Sequence, residues 1–380
     1  MSTNIRPIAV GIDKLRVGTD ALGNKTMKHA LATCKDLGRA SPKQARKLSD
    51  RGSVHEHRYS VDAGQFGTIY IAFKPHRADA GHPKFVFELN PNKLGREGLV
   101  EARAVLKDIL GDRFDVAMSK AFVTLIDYFS DYPVNIREVY IDMTRKEVCG
   151  VWGFQFDSLF DLETLYLGAG GTDNQVRGYD KEREESDKAG KPRKHNRMAA
   201  AFDQDAKELG CRMRIEGRRL PGRVPLNRVH LLDNPFRNVS IAMIPESAAE
   251  FQEPLGRMLL DAARFLGWKV AVKRMKDANA ERKYKRAFNK YLCDWWKPDE
   301  AAVDVGVALL RTGLFPESAF DPKVLRVSRS TPVGTMPTFD AEGIAALKSI
   351  KAMIAKKTKL KIIPHFADLD EEVEEQESDE

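Results

Sequence analysis

The sequence is short of cysteine, of long apolar runs and of phosphate-binding glycine motifs, and each shortage narrows what the chain can be. Its four cysteines (Cys34, Cys149, Cys211, Cys293) lie far apart and form no CxxC pair. That excludes a zinc ribbon and a disulfide framework and points to a reducing compartment. No stretch approaches the roughly 20 apolar residues of a membrane-spanning helix. The opening segment MSTNIRPIAVGIDKLRV has no basic start followed by an uninterrupted apolar core. A cytoplasmic protein without membrane partners is expected. Gly168-Ala-Gly-Gly171 is not followed by the lysine and hydroxyl residue of a GxxxxGK(S/T) loop, which argues against nucleotide binding. No internal repeat is visible.

What is present is length and positive charge. A chain of 380 residues can bury a sizeable core in two or three structural units. The formal charge is +7, but residues 368–380 hold nine acids and no base, so residues 1–367 carry +16. Such a body suits a polyanion, because neutralising phosphates releases condensed counterions.

Residues 5–17 alternate loosely (Ile8, Val10, Ile12, Leu15, Val17) and predict an opening strand, followed by a basic stretch over 18–53 that is helical in part. The runs 54–61, 68–73 and 84–89 are rich in strand formers and separated by Gly- and Pro-containing turns, the signature of an antiparallel meander. From Gly98 to Tyr128 apolar residues recur at helical spacing (Leu99, Ala102, Val105, Leu106, Ile109, then Ala117, Ala121, Leu125), which predicts one or two helices over the sheet. Strands are predicted at 136–143 and 148–156, with short extended pieces at 164–168 and 176–180 around a loop. A charged linker at 182–196, a helix at 197–209 and a strand at 211–220 follow. Beyond about 225 the pattern turns helical, at 246–267 and 277–296. The fold class expected is α+β: an antiparallel-sheet core over 1–240 flanked by helices, a mainly helical region over 241–366, and a disordered acidic tail over 367–380.

The most specific run lies between Glu163 and Leu220. Thr164-Leu-Tyr-Leu-Gly168, a small polar loop, Arg177-Gly-Tyr-Asp-Lys181 and Arg212-Met-Arg-Ile-Glu-Gly-Arg-Arg-Leu220 follow in order, with Asp233-Asn-Pro-Phe236 downstream. In order and spacing this run resembles the replication initiation factor family, which includes rolling-circle plasmid initiators of the Rep-trans type, and it is similar to the nicking replication proteins of filamentous phages. The resemblance covers 130–240 well and 5–95 loosely, and the C-terminal third lies outside it. It implies a DNA-nicking and rejoining enzyme that binds a duplex origin and cuts a single strand inside a bacterial host cell. Host helicase or polymerase and a second copy of the chain are the further partners it implies.

The resemblance makes Tyr179 the nucleophile. A phenolate attacking a phosphodiester leaves a 5′-phosphotyrosine and a free 3′-hydroxyl, and with an ordinary pKa near 10 the phenol needs help at neutral pH. Arg177 and Lys181 stand at alternate positions on the same strand face, suited to the developing charge. The alternative is a half-buried strand tyrosine between solvated charges. The resemblance also implies Mg²⁺ or Mn²⁺ held by acidic residues: Asp142, whose Arg-x-Asp spacing is altered here, Glu216 in Arg-Ile-Glu, and Glu88 inside the apolar strand FVFEL. Each is alternatively an ordinary ion-pair member. A rival cation site, the His55-Glu56-His57 pair of a conjugative-type relaxase, stays open, as does a non-catalytic DNA-binding regulator on the same fold. Candidate DNA contacts are Arg212, Arg214, Arg218, Arg219, Lys194 and Arg197. The basic stretch 273–289 is a further one, its interleaved Tyr284 and Phe288 assigned to a core.

Overall fold

The computed structural model describes residues 5–330 apart from 42–43, 50–51, 78–80, 145–147, 153–163, 170–171, 183, 186–211 and 246. β1 (Ala9–Thr19) leads into α1 (Asn24–Ala40), the short β2 (Ala45–Lys47) and the meander β3 (His55–Asp62), β4 (Thr68–Pro75) and β5 (Phe85–Leu89). α2 (Pro91–Leu110) starts where the sequence signals it: Asn90 Oδ1 accepts from Lys93 N at 2.9 Å, and Pro91 occupies the first turn, where its missing N–H costs nothing. α3 (Phe114–Ser119) is followed by β6 (Phe122–Tyr132), β7 (Tyr140–Met143), β8 (Val148–Trp152), β9 (Thr164–Leu167), β10 (Gln175–Asp180), β11 (Met213–Arg219), β12 (Val224–Pro225) and β13 (Val239–Ala242). Five helices complete the described chain: α4 (Pro254–Leu266), α5 (Trp268–Arg274), α6 (Ala278–Lys290), α7 (Val305–Arg311) and α8 (Pro322–Ser330). The α+β class expected from the sequence is the class found.

β7 and β13 pair with each other. The other 11 strands form one antiparallel sheet in the order β2-β3-β4-β5-β1-β6-β11-β10-β9-β8, with β12 added beside β6. The order contains the same connectivity twice. Each half opens with an 11-residue strand, β1 or β6, that sits at the centre, and closes with the strand that returns to pair with it, β5 or β11. The sequence carries no visible repeat, since topology follows apolar patterning and turns, which tolerate wholesale exchange of side chains.

Alternation along the strands splits the sheet into two faces. Leu15, Val17, Ile71, Phe73, Phe85 and Phe87 line one and are buried. α1 and α2 pack against each other and against β3 and β1, respectively. Each such side chain contributes about 1.5–3 kcal/mol on leaving water. On the other face Arg16, Glu88 and Tyr70 stand abreast on β1, β5 and β4.

β6 departs from the sequence reading, which carried helix through Tyr128. Helix ends with α3, and 122–132 is the central strand, buried at all but one position. A strand covered on both faces loses its alternation, and Ala117, Ala121 and Leu125 then mimic a helical period.

The pattern read as helical from about 225 still holds two strands, β12 and β13, and the described residues from 254 to 330 carry α4–α8. α4, α5 and α6 share a core with the small ladder, built from Tyr140, Ala242, Phe251, Leu259, Trp268, Val272, Tyr284 and Phe288. Trp295 and Trp296 follow α6 and pack on Tyr132, at ring distances of 5.1 and 5.6 Å. The chain divides into two units, Met1–Thr338 and Phe339–Glu380. The second unit, the acidic tail and the helix expected at 197–209 lie outside the described residues. Among the described residues no helix is long and apolar enough to cross a membrane.

Candidate active site

The polar face gathers charge where β6, β11 and β10 lie side by side. Register places Glu216 of β11 between Phe129 of β6 and Arg177 of β10, and Arg214 between Asp131 and Tyr179. Period-2 alternation turns Arg214, Glu216 and Arg218 to this face, as it does Arg177 and Tyr179.

Glu216 is the hub. It is 3% exposed; Oε1 accepts from the Tyr179 hydroxyl at 2.5 Å, and Oε2 accepts from Arg177 Nε at 2.6 Å and from Arg177 Nη2. Cations bracket the Tyr179 ring, with the Arg177 guanidinium 5.2 Å and the Lys181 ammonium 5.6 Å from its centroid. The sequence put Arg177, Tyr179 and Lys181 together, and the structure brings Glu216 to them. Burial pushes the Tyr179 hydroxyl well above its ordinary value and the Glu216 charge adds to the rise, so the phenol is protonated at neutral pH. Burial also pushes Glu216 up, and the Arg177 guanidinium offsets only part of this. A carboxylate so raised and touching a phenolic proton can accept that proton.

Two glycines let the backbone come this close. A Cβ on Gly178 would lie 2.6 Å from Ile141 Cδ1, where β7 approaches β10. On Gly217 it would lie 2.6–2.9 Å from Pro235 and Phe236. The latter belong to the Asp-Asn-Pro-Phe turn, closed by Asn234 Oδ1 accepting from Phe236 N at 2.8 Å and tied down by Asn234 Nδ2 donating to Pro298 O at 2.7 Å. Gly217→Ala is therefore expected to lower stability by about 1–3 kcal/mol through overpacking, read as a lower midpoint in chemical denaturation.

The four arginines expected to reach DNA from β11 and its ends are engaged within the protein. Arg214 forms a two-pronged pair with Asp131 (2.6 and 2.8 Å) and meets Asp13 at 3.3 Å. Arg218 does the same with Asp127 (2.7 Å twice), Arg219 holds Asp173 at 3.0 Å, and Arg212 meets Glu185. Lys194 and Arg197 lie outside the described residues. Asp13, Asp127 and Asp131 went unnoticed in the sequence, although Asp127 and Asp131 on one strand match Arg218 and Arg214 on the next with the same four-residue interval.

The carboxylates expected to share a cation are not assembled. Asp142 sits in the separate ladder opposite Ser240, where burial raises its pKa and backbone N–H groups of Met143 and Lys269 oppose the rise. Glu88 lies on the polar face but is divided from Glu216 by β1 and β6. Burial would raise it, yet Arg16 (2.6 and 2.8 Å) and Lys14 (3.3 Å) hold it below the ordinary glutamate value. Among the described residues no group of three His, Cys, Asp or Glu side chains is placed to hold a metal ion. The histidine pair lies on the opposite, apolar face: His57 is 5.2 Å from the Phe73 ring, and His55 Nε2 hydrogen-bonds Pro83 O at 2.8 Å. Burial lowers the His55 pKa and keeps it neutral.

No protein-family model matches the chain, and no curated protein matches it. Among solved structures, the rolling circle replication initiator protein from Geobacillus stearothermophilus is similar over 66% of this chain and 90% of that one, at 14% identity and a TM-score of 0.32.

Proposed function

We propose that the chain initiates rolling-circle DNA replication by nicking and rejoining a single strand at an origin, with Tyr179 as nucleophile. The observation that carries this reading is the buried hydrogen bond from the Tyr179 hydroxyl to Glu216 Oε1 beside the cations of Arg177 and Lys181. The motif resemblance supplies the substrate.

A scissile phosphate drawn between Arg177 and Lys181 would meet the phenol oxygen. As the Tyr179 O–P bond forms, the phenolic proton passes to Glu216, and the P–O3′ bond breaks. The departing 3′-oxygen takes a proton from solvent water and becomes the free 3′-hydroxyl, while the phosphoryl group stays on Tyr179 as the 5′-phosphodiester. Rejoining is the reverse, with Glu216 returning the proton. Arg177 has two tasks, holding Glu216 and neutralising the pentacovalent phosphorus. Among the described residues Asp142, Glu216 and Glu88 do not come together as a cation site.

Single-stranded origin oligonucleotides with Mn²⁺ test the proposal. The expected product is a covalent protein–DNA adduct mapping to the peptide that contains Tyr179; an adduct on another residue, or none, overturns it. Glu216→Gln keeps the hydrogen-bonding shape but removes the base. It is expected to slow adduct formation about 10²-fold or more and to erase the acid limb of the rate profile. In the unaltered protein that limb lies above the ordinary glutamate pKa, because burial raises Glu216 and the rate climbs as it ionises.

A non-catalytic DNA-binding regulator on the same fold is the second reading. It is favoured by the 5% exposure of Tyr179, whose satisfied hydroxyl also suits a purely structural role. Under it, Tyr179→Phe alters stability alone.

A further inference from the structure

Away from the sheet, α5 and α6 are joined by a three-residue turn, Met275-Lys276-Asp277. Lys276 takes a left-handed conformation (φ 54°), and Asp277 caps α6 by accepting from Asn279 N and Ala280 N at 2.8 and 3.2 Å. Two helices joined by so short a turn have the connectivity of a helix–turn–helix. The second helix is fixed from beneath: Tyr284, Ala287 and Phe288 are buried, and Phe288 stacks on Trp268 with centroids 4.7 Å apart.

The opposite side of α6 carries Asn279, Arg282, Arg286 and Asn289, all exposed and spaced three, four and three residues apart, which makes one stripe. Its flanking lysines are neutralised, Lys283 by Glu253, Lys285 by Glu281 and Lys290 by Glu250. Neither arginine of the stripe pairs with a carboxylate among the described residues. Lys273, Arg274 and Lys276, at the end of α5 and in the turn, are likewise exposed and unpaired there. We infer that α6 is a recognition helix that reads base pairs in the major groove of duplex DNA through Asn279, Arg282, Arg286 and Asn289, while Lys273, Arg274 and Lys276 hold phosphates beside it.

Chemistry selects this ligand. Arginine pairs bidentately with guanine and asparagine with adenine at the major-groove edge, which admits one α-helix. From Asn279 to Asn289 the stripe runs about 15 Å, the reach of roughly four base pairs at 3.4 Å each. An anionic bilayer would call for apolar side chains beside the cations, and the stripe has none. The site owes nothing to Tyr179, so it stands or falls separately from the nicking reading.

The test selects random 20-base-pair duplexes on the full-length protein and sequences what is retained. The unaltered protein is expected to enrich one short G- and A-containing motif, and Tyr179→Phe to enrich the same motif. The double variant Arg282→Lys, Arg286→Lys keeps the charge and is expected to bind duplex with an unchanged salt dependence while losing about 10- to 100-fold in preference for the motif. The double variant Arg282→Ala, Arg286→Ala is expected to lose that preference as well, whereas Lys273→Ala is expected to lower the salt slope by about one and leave the preferred motif unchanged. All seven side chains changed or invoked are exposed, and far-ultraviolet dichroism matching the unaltered protein verifies folding. Enrichment that survives both double variants, absence of any enriched motif, or equal binding to vesicles of anionic phospholipid overturns the assignment.

Discussion

Tyr179→Phe is expected to abolish the covalent DNA adduct, by at least about 10³-fold, while leaving the fold intact. The substitution removes one oxygen from a site that packs the ring between Arg177 and Lys181, and phenylalanine keeps the ring. Glu216 loses one donor but retains both contacts from Arg177, so the stability change should stay near 1 kcal/mol. Catalysis has no comparable substitute, because the other tyrosine near Arg177, Tyr166 on the next strand, is not placed on the Glu216 carboxylate by any hydrogen bond described here. Denaturing gels of protein incubated with labelled single-stranded origin DNA measure the adduct, and thermal unfolding measures the fold. An undiminished adduct in the phenylalanine variant would remove Tyr179 from the mechanism. An adduct lost together with the fold would be set aside in favour of the Glu216→Gln result, which keeps every ring in place.

The second large effect is structural. Arg214→Ala is expected to destabilise the chain by about 3–5 kcal/mol, since it strands a charge rather than merely deleting a contact. Asp131 is 2% exposed and relies on Arg214 for both of its oxygens, and Asp13 leans on the same guanidinium from β1. The pair straddles the junction of β1, β6 and β11, where the two halves of the sheet meet. Removing the charge as well, in Arg214→Met with Asp131→Leu, should restore a large part of the loss, because well-packed apolar side chains replace buried ion pairs at little cost. Chemical denaturation of the single and double variants measures both numbers. A loss under 1 kcal/mol in the single variant would mean that water reaches this junction.

Much of this was legible in the chain because local chemistry and final structure agree. The runs at β3, β4 and β5 alternate cleanly and are punctuated by turns, so the meander emerges from one window at a time. Tyr179, Arg177 and Lys181 share a strand, and their common face follows from its two-residue period. Glu216 lies on another strand, and its partnership with Tyr179 depends on the register of β10 against β11, which no local window contains. The same limit explains the arginines of β11. Arg214 and Arg218 are ion-paired because β6, whose first half was read as helix, is a strand that delivers Asp131 and Asp127 opposite them. Asp142 stands apart from Tyr179 for a similar reason: its strand joins β13 in a separate ladder rather than the sheet that bears Tyr179. In α6 the apolar stripe was readable, while the significance of Arg282 and Arg286 required knowing which neighbouring lysines had already found carboxylates.

The doubled connectivity of the sheet has a consequence for how the chain is made. By residue 89 the ribosome has delivered β1 through β5, an assembly whose own strand order is complete. Its last-filled flank is β1, an 11-residue strand with one row of amide and carbonyl groups still open until residues 122–132 emerge. Exposed rows of that kind invite pairing with other chains. Lys14 and Arg16 sit on that strand, salt-bridged to Glu88 from the already finished side. Charged side chains on an open edge disfavour strand-to-strand pairing of two chains, and Lys14 and Arg16 put two on this strand.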